Sequence, residues 1–164
     1  MTAPLPPRAR ELIAMLGLQP HPEGGFYREV FRSPLHVQPA DARGERSALT
    51  TIDFLLARGQ FSAWHRVASD EVWHLLEGGP LQLWLMPPSL DRLDSVTLGA
   101  AGGKHVPRHT VPAHWWQAAE PLGAFAYVGA TVGPGFEFVD FGFMRETDAA
   151  RALQRLDRSL ERLL

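Results

Sequence analysis

The sequence has no cysteine among its 164 residues. Disulfide bonds, thiol catalysis and cysteine-ligated zinc are therefore excluded. The chain also lacks an excess of charge of one sign, since 16 lysines and arginines stand against 18 aspartates and glutamates, a formal net charge of −2. This balance gives no strong electrostatic attraction to nucleic acid or to an anionic membrane, and we expect neither as a partner.

Long apolar runs are missing as well. No run approaches the roughly 18 residues needed to cross a bilayer, and residues 1–10 are proline-rich without the hydrophobic segment of a secretory signal. We therefore expect a cytoplasmic protein. Hydrophobic residues make up 45% of the chain and charged residues 21%, a composition typical of globular domains that can bury a substantial core.

Helical periodicity is confined to the two ends of the chain. Apolar residues recur every three or four positions near the N-terminus, where Gly17 is placed to end a helix, and again in the charged C-terminal tail. The spacing predicts one short helix over about 7–16 and another over about 147–163. The positions that carry the two patterns are Ala9, Leu12, Ile13 and Leu16, and Leu153, Leu156, Leu160 and Leu163.

The region between the helices has the composition of short β-strands. Segments rich in apolar and β-branched residues recur about every ten residues, and proline and glycine separate most of them. Many short strands with helices only at the ends predict an all-β protein, either a β-sandwich or a barrel. We expect one domain, residues 1–164, with its core at about 19–145.

The residues with the clearest chemistry lie between Gly59 and Gly78. His65 and Glu71 belong to two predicted strands joined by the short turn 68–70. Side chains on such an antiparallel pair can converge on one face of a sheet. An imidazole and a carboxylate that meet there can hold a divalent metal or act as an acid–base pair.

This stretch resembles the first motif of the cupin superfamily, small jelly-roll barrels with a glycine, His-x-His, Glu, glycine signature. The two glycines, His65 and Glu71 match, but Val67 stands where the second histidine is expected. In the second motif, the run that begins at Pro112 has Gln117 at the position of the metal-binding histidine. The usual set of three histidines and one glutamate is thus reduced to His65, Glu71 and Gln117.

A more specific resemblance is to the single-domain bacterial and fungal cupins classed as a domain of unknown function. It rests on four blocks in order, HPEGGFYREV at 21–30, FSAWHRVASDEVWHLLEG at 61–78, VPAHWW at 111–116 and VGPGFEFVDF at 132–141. The resemblance implies a cupin-type double-stranded β-helix, a jelly-roll barrel that forms a homodimer. It also implies a distant similarity to keto-sugar nucleotide epimerases, without a settled reaction.

Three interpretations of the pocket follow. His65, Glu71 and Gln117 can hold a metal for an oxygenase or isomerase, but an imidazole, a carboxylate and a neutral amide are a poor set for tight Fe or Zn binding. His65 can be the general base of a metal-independent isomerase or epimerase, as the resemblance to those epimerases implies. We favour the third, a metal-free pocket that binds a ligand without turnover and in which His65 and Glu71 are hydrogen-bonded to each other.

Strand alternation places Trp73 on the inward face together with Glu71. The expected ligand-binding set is therefore His65, Glu71, Trp73 and Gln117, with Val67 as an apolar wall. Trp73 would offer area for stacking, and the three polar side chains would fix the ligand's orientation. This arrangement predicts a small polar ligand that is sugar-like or bears a carboxylate.

The block at 21–29 allows two interpretations. Its adjacent glycines permit unusual backbone dihedrals or a close backbone approach, so that Glu23 or Arg28 can reach a pocket, including the pocket of a partner subunit. Alternatively, the block is a turn with solvated charges that leads into a first strand. An epimerase also needs an acid across the pocket, often a tyrosine, and no motif assigns Tyr27 or Tyr127 to that role.

Overall fold

The computed structural model describes residues 4–164 and contains 13 strands, numbered in chain order. Six of them form one antiparallel sheet in the order β1 (Gln19–Pro20), β2 (Phe26–Arg32), β5 (Thr50–Ala57), β12 (Phe125–Gly133), β7 (Asp70–Gly78) and β10 (Arg108–Val111). Five form a second antiparallel sheet in the order β13 (Phe141–Phe143), β6 (Ser62–Val67), β11 (Trp116–Pro121), β8 (Leu81–Met86) and β9 (Asp94–Leu98). The short strands β3 (His36–Val37) and β4 (Arg46–Ser47) pair with each other.

The two large sheets pack face to face around the main core. Phe54 and Trp73 of the six-stranded sheet are buried in one cluster with Leu83, Leu85 and Ala119 of the five-stranded sheet. This confirms the all-β, cupin-type fold, realised as two sheets rather than as one continuously hydrogen-bonded barrel.

Each helix covers the outer face of one sheet. Helix α1 (Pro7–Leu16) begins at a proline and ends at Gly17, whose φ of 64° is the left-handed conformation that terminates helices. Its buried residues Ala9 and Leu12 pack on Leu55 of the six-stranded sheet. None of the helices in residues 4–164 is long and apolar enough to cross a membrane.

The C-terminal segment differs from the single helix expected over about 147–163. Helix α2 (Ala149–Leu156) stops at Asp157, which is extended, and a 3₁₀ segment follows over Arg158–Leu163. The Asp157 side chain accepts a hydrogen bond from the Ser159 backbone N–H at 2.9 Å, a local bond that competes with helix continuation. Leu153, Leu160 and Leu163 nevertheless lie in one cluster with Trp64 and Trp116 on the outer face of the five-stranded sheet.

Candidate functional site

A cavity of about 280 Å³ lies between the two sheets and opens to solvent at one end. One part of its wall is apolar and comes from both sheets and from the segment 136–141. The other part is polar, and its largely buried groups are two imidazoles and two carboxyls. The apolar lining includes Ile52, Val67, Ala130, Val132, Phe136 and Phe141, and the largely buried polar groups are His21, Glu23, His65 and Glu71.

The loop between β1 and β2 brings Glu23 into this cavity. Gly24 and Gly25 have φ values of 113° and 71°, and a Cβ atom at Gly25 would lie 2.6 Å from the Leu55 carbonyl oxygen. The chain therefore needs glycine here to pass close to the neighbouring strand. The Ala63 backbone N–H donates to the Glu23 carbonyl at 2.8 Å and fixes the loop against β6.

Glu23 and His65 form a buried pair at the floor of the cavity. The Nε2 atom of His65 lies 3.2 Å from Oε2 of Glu23, and the side chains are only 2% and 7% exposed. The Ser62 hydroxyl donates to the other Glu23 oxygen at 2.8 Å. The Nδ1 atom of His65 lies 2.7 Å from the Ala63 carbonyl oxygen, so it carries the ring proton and leaves Nε2 as an acceptor.

Burial keeps this pair uncharged. It raises the pKa of Glu23 to about 8 and lowers the pKa of His65, because both charged forms lose their hydration. At neutral pH the Glu23 carboxyl therefore holds its proton, 3.2 Å from Nε2 of His65. Both ring nitrogens of His65 thus face groups of the protein, Nδ1 the Ala63 carbonyl oxygen and Nε2 the Glu23 carboxyl.

Glu71 is held by a second chain of hydrogen bonds. The Gln117 amide N–H donates to Oε2 of Glu71, and the amide oxygen accepts from the Trp73 indole N–H at 2.9 Å. Burial raises the pKa of Glu71 to about 7, mainly because the carboxylate loses its hydration. Among residues 4–164, the other Glu71 oxygen has no hydrogen-bond partner, and Glu71 lines the cavity.

The structure brings His65, Glu71 and Val67 to the cavity but keeps Trp73 and Gln117 out of its lining. Trp73 lies two residues deeper along β7, where its ring packs edge-to-face on Phe54 at 5.9 Å and is 1% exposed. Strand alternation predicts which face of the sheet a side chain lies on, but not how far it lies from the cavity. The Trp73 ring, which we expected to stack on a ligand, is part of the core. Trp73 and Gln117 act on the cavity through Glu71.

The partner of His65 also differs from the expected one. We expected His65 and Glu71 to be hydrogen-bonded to each other, whereas His65 is bonded to Glu23 and Glu71 to Gln117. One of the two interpretations of the block at 21–29 placed Glu23 or Arg28 in a pocket, and Glu23 lies in the cavity of its own chain. Sequence gave no separate signal for His21 beyond its place in that block.

A charged rim surrounds the opening. Arg32 donates to both oxygens of Glu29 at 2.9 Å and to Glu137 at 2.8 Å. Arg28 donates to the Leu16 carbonyl oxygen at the C-terminal end of α1 at 3.0 Å. Arg32 is thus paired with two glutamates, whereas Arg28 is held by a backbone carbonyl oxygen and pairs with no carboxylate among residues 4–164.

The residues present do not fit the metal that cupins commonly bind. Val67 has no donor atom, the Gln117 oxygen is bonded to Trp73, and both nitrogens of His65 have protein partners. Among residues 4–164, no group of three or more histidine, aspartate or glutamate side chains has a metal-binding arrangement. Before the expected metal ligands could hold an ion, Gln117 would have to lose its bond from Trp73, and His65 one of its two ring contacts.

We therefore expect chelation to leave the protein unchanged. Dialysis of untagged protein against EDTA should not shift its Tm, because no folding free energy comes from a bound ion. Elemental analysis before dialysis should find Fe, Mn, Ni and Zn far below one atom per chain. One equivalent of any of these metals, together with a lower Tm after dialysis, would contradict this prediction.

Comparisons with known proteins agree with the fold and with the motifs. The sequence matches the family described as Cupin superfamily (DUF985) over residues 10–144. A hypothetical protein from Leishmania major is 31% identical, with a TM-score of 0.80 over 94% of this chain and 95% of that one. A protein from Shewanella oneidensis is 30% identical, with a TM-score of 0.78 over 94% of this chain and 93% of that one.

More distant structures share the fold alone. A cupin 2 conserved barrel domain protein from Rhodopseudomonas palustris is 13% identical, with a TM-score of 0.58 over 89% of this chain and 84% of that one. No curated protein matches the sequence. Because the family match covers most of the chain and two solved structures are similar over nearly their whole length, the chain belongs to the DUF985 family of the cupin superfamily.

Proposed function

We propose that the cavity binds a small, uncharged, oxygen-rich molecule, such as a sugar or a hydroxy ketone, without a tightly bound metal. The observation that carries this proposal is the polar floor, where Glu23 and His65 satisfy each other in their neutral forms beneath an apolar wall. This pair presents no charge to a ligand, whose hydroxyl groups can hydrogen-bond to the Glu71 oxygen that has no partner while its carbon atoms contact the wall. The volume of about 280 Å³ suits a small molecule.

Charge favours the sugar-like ligand over the carboxylate-bearing one that the sequence also allowed. The floor already holds two carboxyl groups, Glu23 and Glu71, and a ligand carboxylate beside them would meet repulsion whenever Glu71 is ionised. At the rim, Arg32 is paired with two glutamates. Arg28, the other rim arginine, has no carboxylate partner among residues 4–164, but it belongs to the rim. A carboxylate on the floor would therefore lose its hydration without a cation beside it.

Proton transfer is the second candidate function, and Glu71 is the observation that favours it. A general base works best with a pKa near the operating pH, and the pKa of Glu71 is raised to about 7. Its oxygen without a partner faces the cavity, whereas both nitrogens of His65 are engaged. In an isomerase or epimerase of this design, the base is Glu71 rather than His65, and His65 orients Glu23.

Two four-carbon compounds test the binding proposal directly. L-Erythrulose is a neutral hydroxy ketone that stays open-chain, and L-threonate is a sugar acid of similar size. We expect saturable NMR shifts at Ile52 and Val67 with L-erythrulose and weaker binding of L-threonate. Equal or tighter binding of L-threonate would overturn the preference for an uncharged ligand, and no saturable shift with either compound would overturn the proposal.

Deuterium exchange tests the second candidate function. If Glu71 moves protons, L-erythrulose incubated with the protein in D₂O will exchange the hydrogens next to its carbonyl group. The variant Glu71→Gln keeps a hydrogen-bonding side chain but cannot take a proton, and it should slow this exchange by about a hundredfold or more while binding persists. Binding without exchange by the native protein would leave ligand binding as the function.

Two expectations from the sequence remain predictions. They are the homodimer, which the resemblance implies, and the cytoplasmic location.

A further inference from the structure

The cavity lining contains a second imidazole besides His65, that of His21. Its side chain is only 6% exposed and lines the cavity. The Glu23 backbone N–H donates to its Nδ1 atom at 3.2 Å, so Nδ1 is unprotonated. In a neutral imidazole the proton must then be on Nε2. The ring is fixed as a hydrogen-bond donor at the atom farther from the loop.

The Nε2 atom has no acceptor within the part of the chain that the structure describes, residues 4–164. None of the three aromatic side chains around His21 accepts a hydrogen bond from it either. Tyr27 meets it edge-on at 4.4 Å between ring centroids, Phe54 at 5.7 Å, and Phe138 lies 6.4 Å away. Within the described residues, Trp64 Nε1 is the one fully buried side-chain nitrogen or oxygen without a partner. The His21 Nε2 atom is therefore open to solvent, and a molecule in the cavity can supply its acceptor.

Charge on His21 is suppressed by its surroundings. Burial, and to a smaller extent His65, lower its pKa to about 4. The nearest carboxyl group, Glu23, lies 3.9 Å from the unprotonated Nδ1 atom and is itself neutral at pH 7, because its pKa is raised to about 8. His21 therefore remains an uncharged donor at neutral pH, like a backbone N–H but placed on a side chain.

We propose that His21 binds the ligand directly, donating its Nε2–H to a carbonyl or hydroxyl oxygen. The inference rests on the proposed function, since it names the group that recognises the ligand's oxygen. It differs from a structural role, in which Nδ1 only closes the turn at 21–23. The two roles use different ring atoms and can be separated.

In the proton-transfer reaction the same bond would stabilise the intermediate. Glu71 takes the proton from the carbon next to the carbonyl, and the electron pair of the broken C–H bond forms a C=C bond. The carbonyl oxygen becomes an enolate oxygen that accepts the His21 hydrogen bond more strongly than the ketone did. Return of the proton from Glu71 to the same carbon, on either face, restores the ketone and the carboxylate. In a hydroxy ketone, protonation of the former carbonyl carbon, with the proton of the neighbouring hydroxyl passing to the enolate oxygen, gives the isomeric carbonyl compound. No other reactant is needed in either case.

Two substitutions of His21 separate the roles of its two ring nitrogens, because each variant preserves only one of them. The variant His21→Asn places an amide oxygen where Nδ1 accepts from the Glu23 N–H, as asparagine often does in turns, but it deletes the Nε2–H donor. The variant His21→Gln places an amide N–H near the position of Nε2 and loses the turn contact. With L-erythrulose as the probe, we expect His21→Asn to keep the native Tm but to bind roughly three- to tenfold more weakly. His21→Gln should bind better than His21→Asn despite a lower Tm.

Nitrogen-15 NMR of the imidazoles in the native protein supplies a readout that does not depend on the variants. It should show His21 protonated at Nε2, and this nitrogen should shift when L-erythrulose saturates the cavity. Saturable shifts at Ile52 and Val67 with an unmoved His21 signal, or unchanged affinity in His21→Asn, would overturn the inference and leave the proposed function intact. Absence of any saturable shift in the native protein would overturn both.

Discussion

Replacing Gly25 by alanine is expected to destabilise the protein strongly and to displace the floor of the cavity. The backbone of Gly25 has a φ of 71°, and an added Cβ would lie 2.6 Å from the Leu55 carbonyl oxygen and 2.7 Å from a methyl carbon of Leu56. Leu55 and Leu56 are no more than 1% exposed, so neither can move aside without disturbing the core. We expect a loss of roughly 3–5 kcal/mol, combining left-handed strain with overpacking.

The matched control is Gly59→Ala. Gly59 has a similar φ of 85°, but nothing lies within 4 Å of an added Cβ, so this variant carries the backbone strain without the collision. It should lose about 1–2 kcal/mol. Urea unfolding measures both variants, and equal losses would show that the close approach of the 21–25 loop to β5 is not what positions Glu23 and His21.

Replacing Glu71 by glutamine is expected to change how stability depends on pH. In the folded protein the pKa of Glu71 is raised to about 7 from an ordinary value of 4.5, because the buried carboxylate loses its hydration. Between these two values the folded protein holds a proton that the unfolded chain releases. The stabilising contribution is therefore complete below about pH 4.5 and is lost as the pH rises through 7.

Glutamine cannot ionise, so the stability of the variant does not fall as the pH rises through the pKa of Glu71. Between pH 5 and pH 8, the free energy of unfolding of Glu71→Gln should gain about 2 kcal/mol relative to the native protein. Urea titrations at a series of pH values measure this difference. The control is Glu77→Gln, because the Arg8 side chain lowers the pKa of Glu77 and moves its titration below this range. A constant difference between Glu71→Gln and the native protein would contradict the buried, proton-holding carboxyl.

The sequence predicts those parts of the fold that local signals control. Helix α1 matches its expected bounds because proline and Gly17 mark its two ends. The C-terminal helix is shorter than predicted, because apolar periodicity does not register the local bond from Ser159 to Asp157 that ends it. The sequence also predicts that His65 and Glu71 converge, but on one face of an antiparallel strand pair. Strands β6 and β7 instead belong to different sheets, so the two side chains reach the cavity from opposite sheets.

The rest of the site depends on contacts between distant segments. Glu23 reaches His65 only because its loop crosses β5 and β6, and the spacing of the block at 21–29 carries no information about which side of the loop faces inward. Alternation placed Trp73 inward correctly, but the packing of Phe54 against it decides that its ring fills the core rather than the cavity. How deeply a side chain lies between two sheets depends on the volumes of the side chains from both of them, and the sequence of one strand does not show it.

The bond between Gln117 and Glu71 joins the two sheets, since Glu71 belongs to β7 and Gln117 to β11. It also makes the carboxylate a weaker base, because a donated hydrogen bond favours the ionised form. A ligand that separates the two sheets on binding would lengthen this hydrogen bond and so raise the pKa of Glu71. The pKa of Glu71 therefore depends on the distance between β7 and β11.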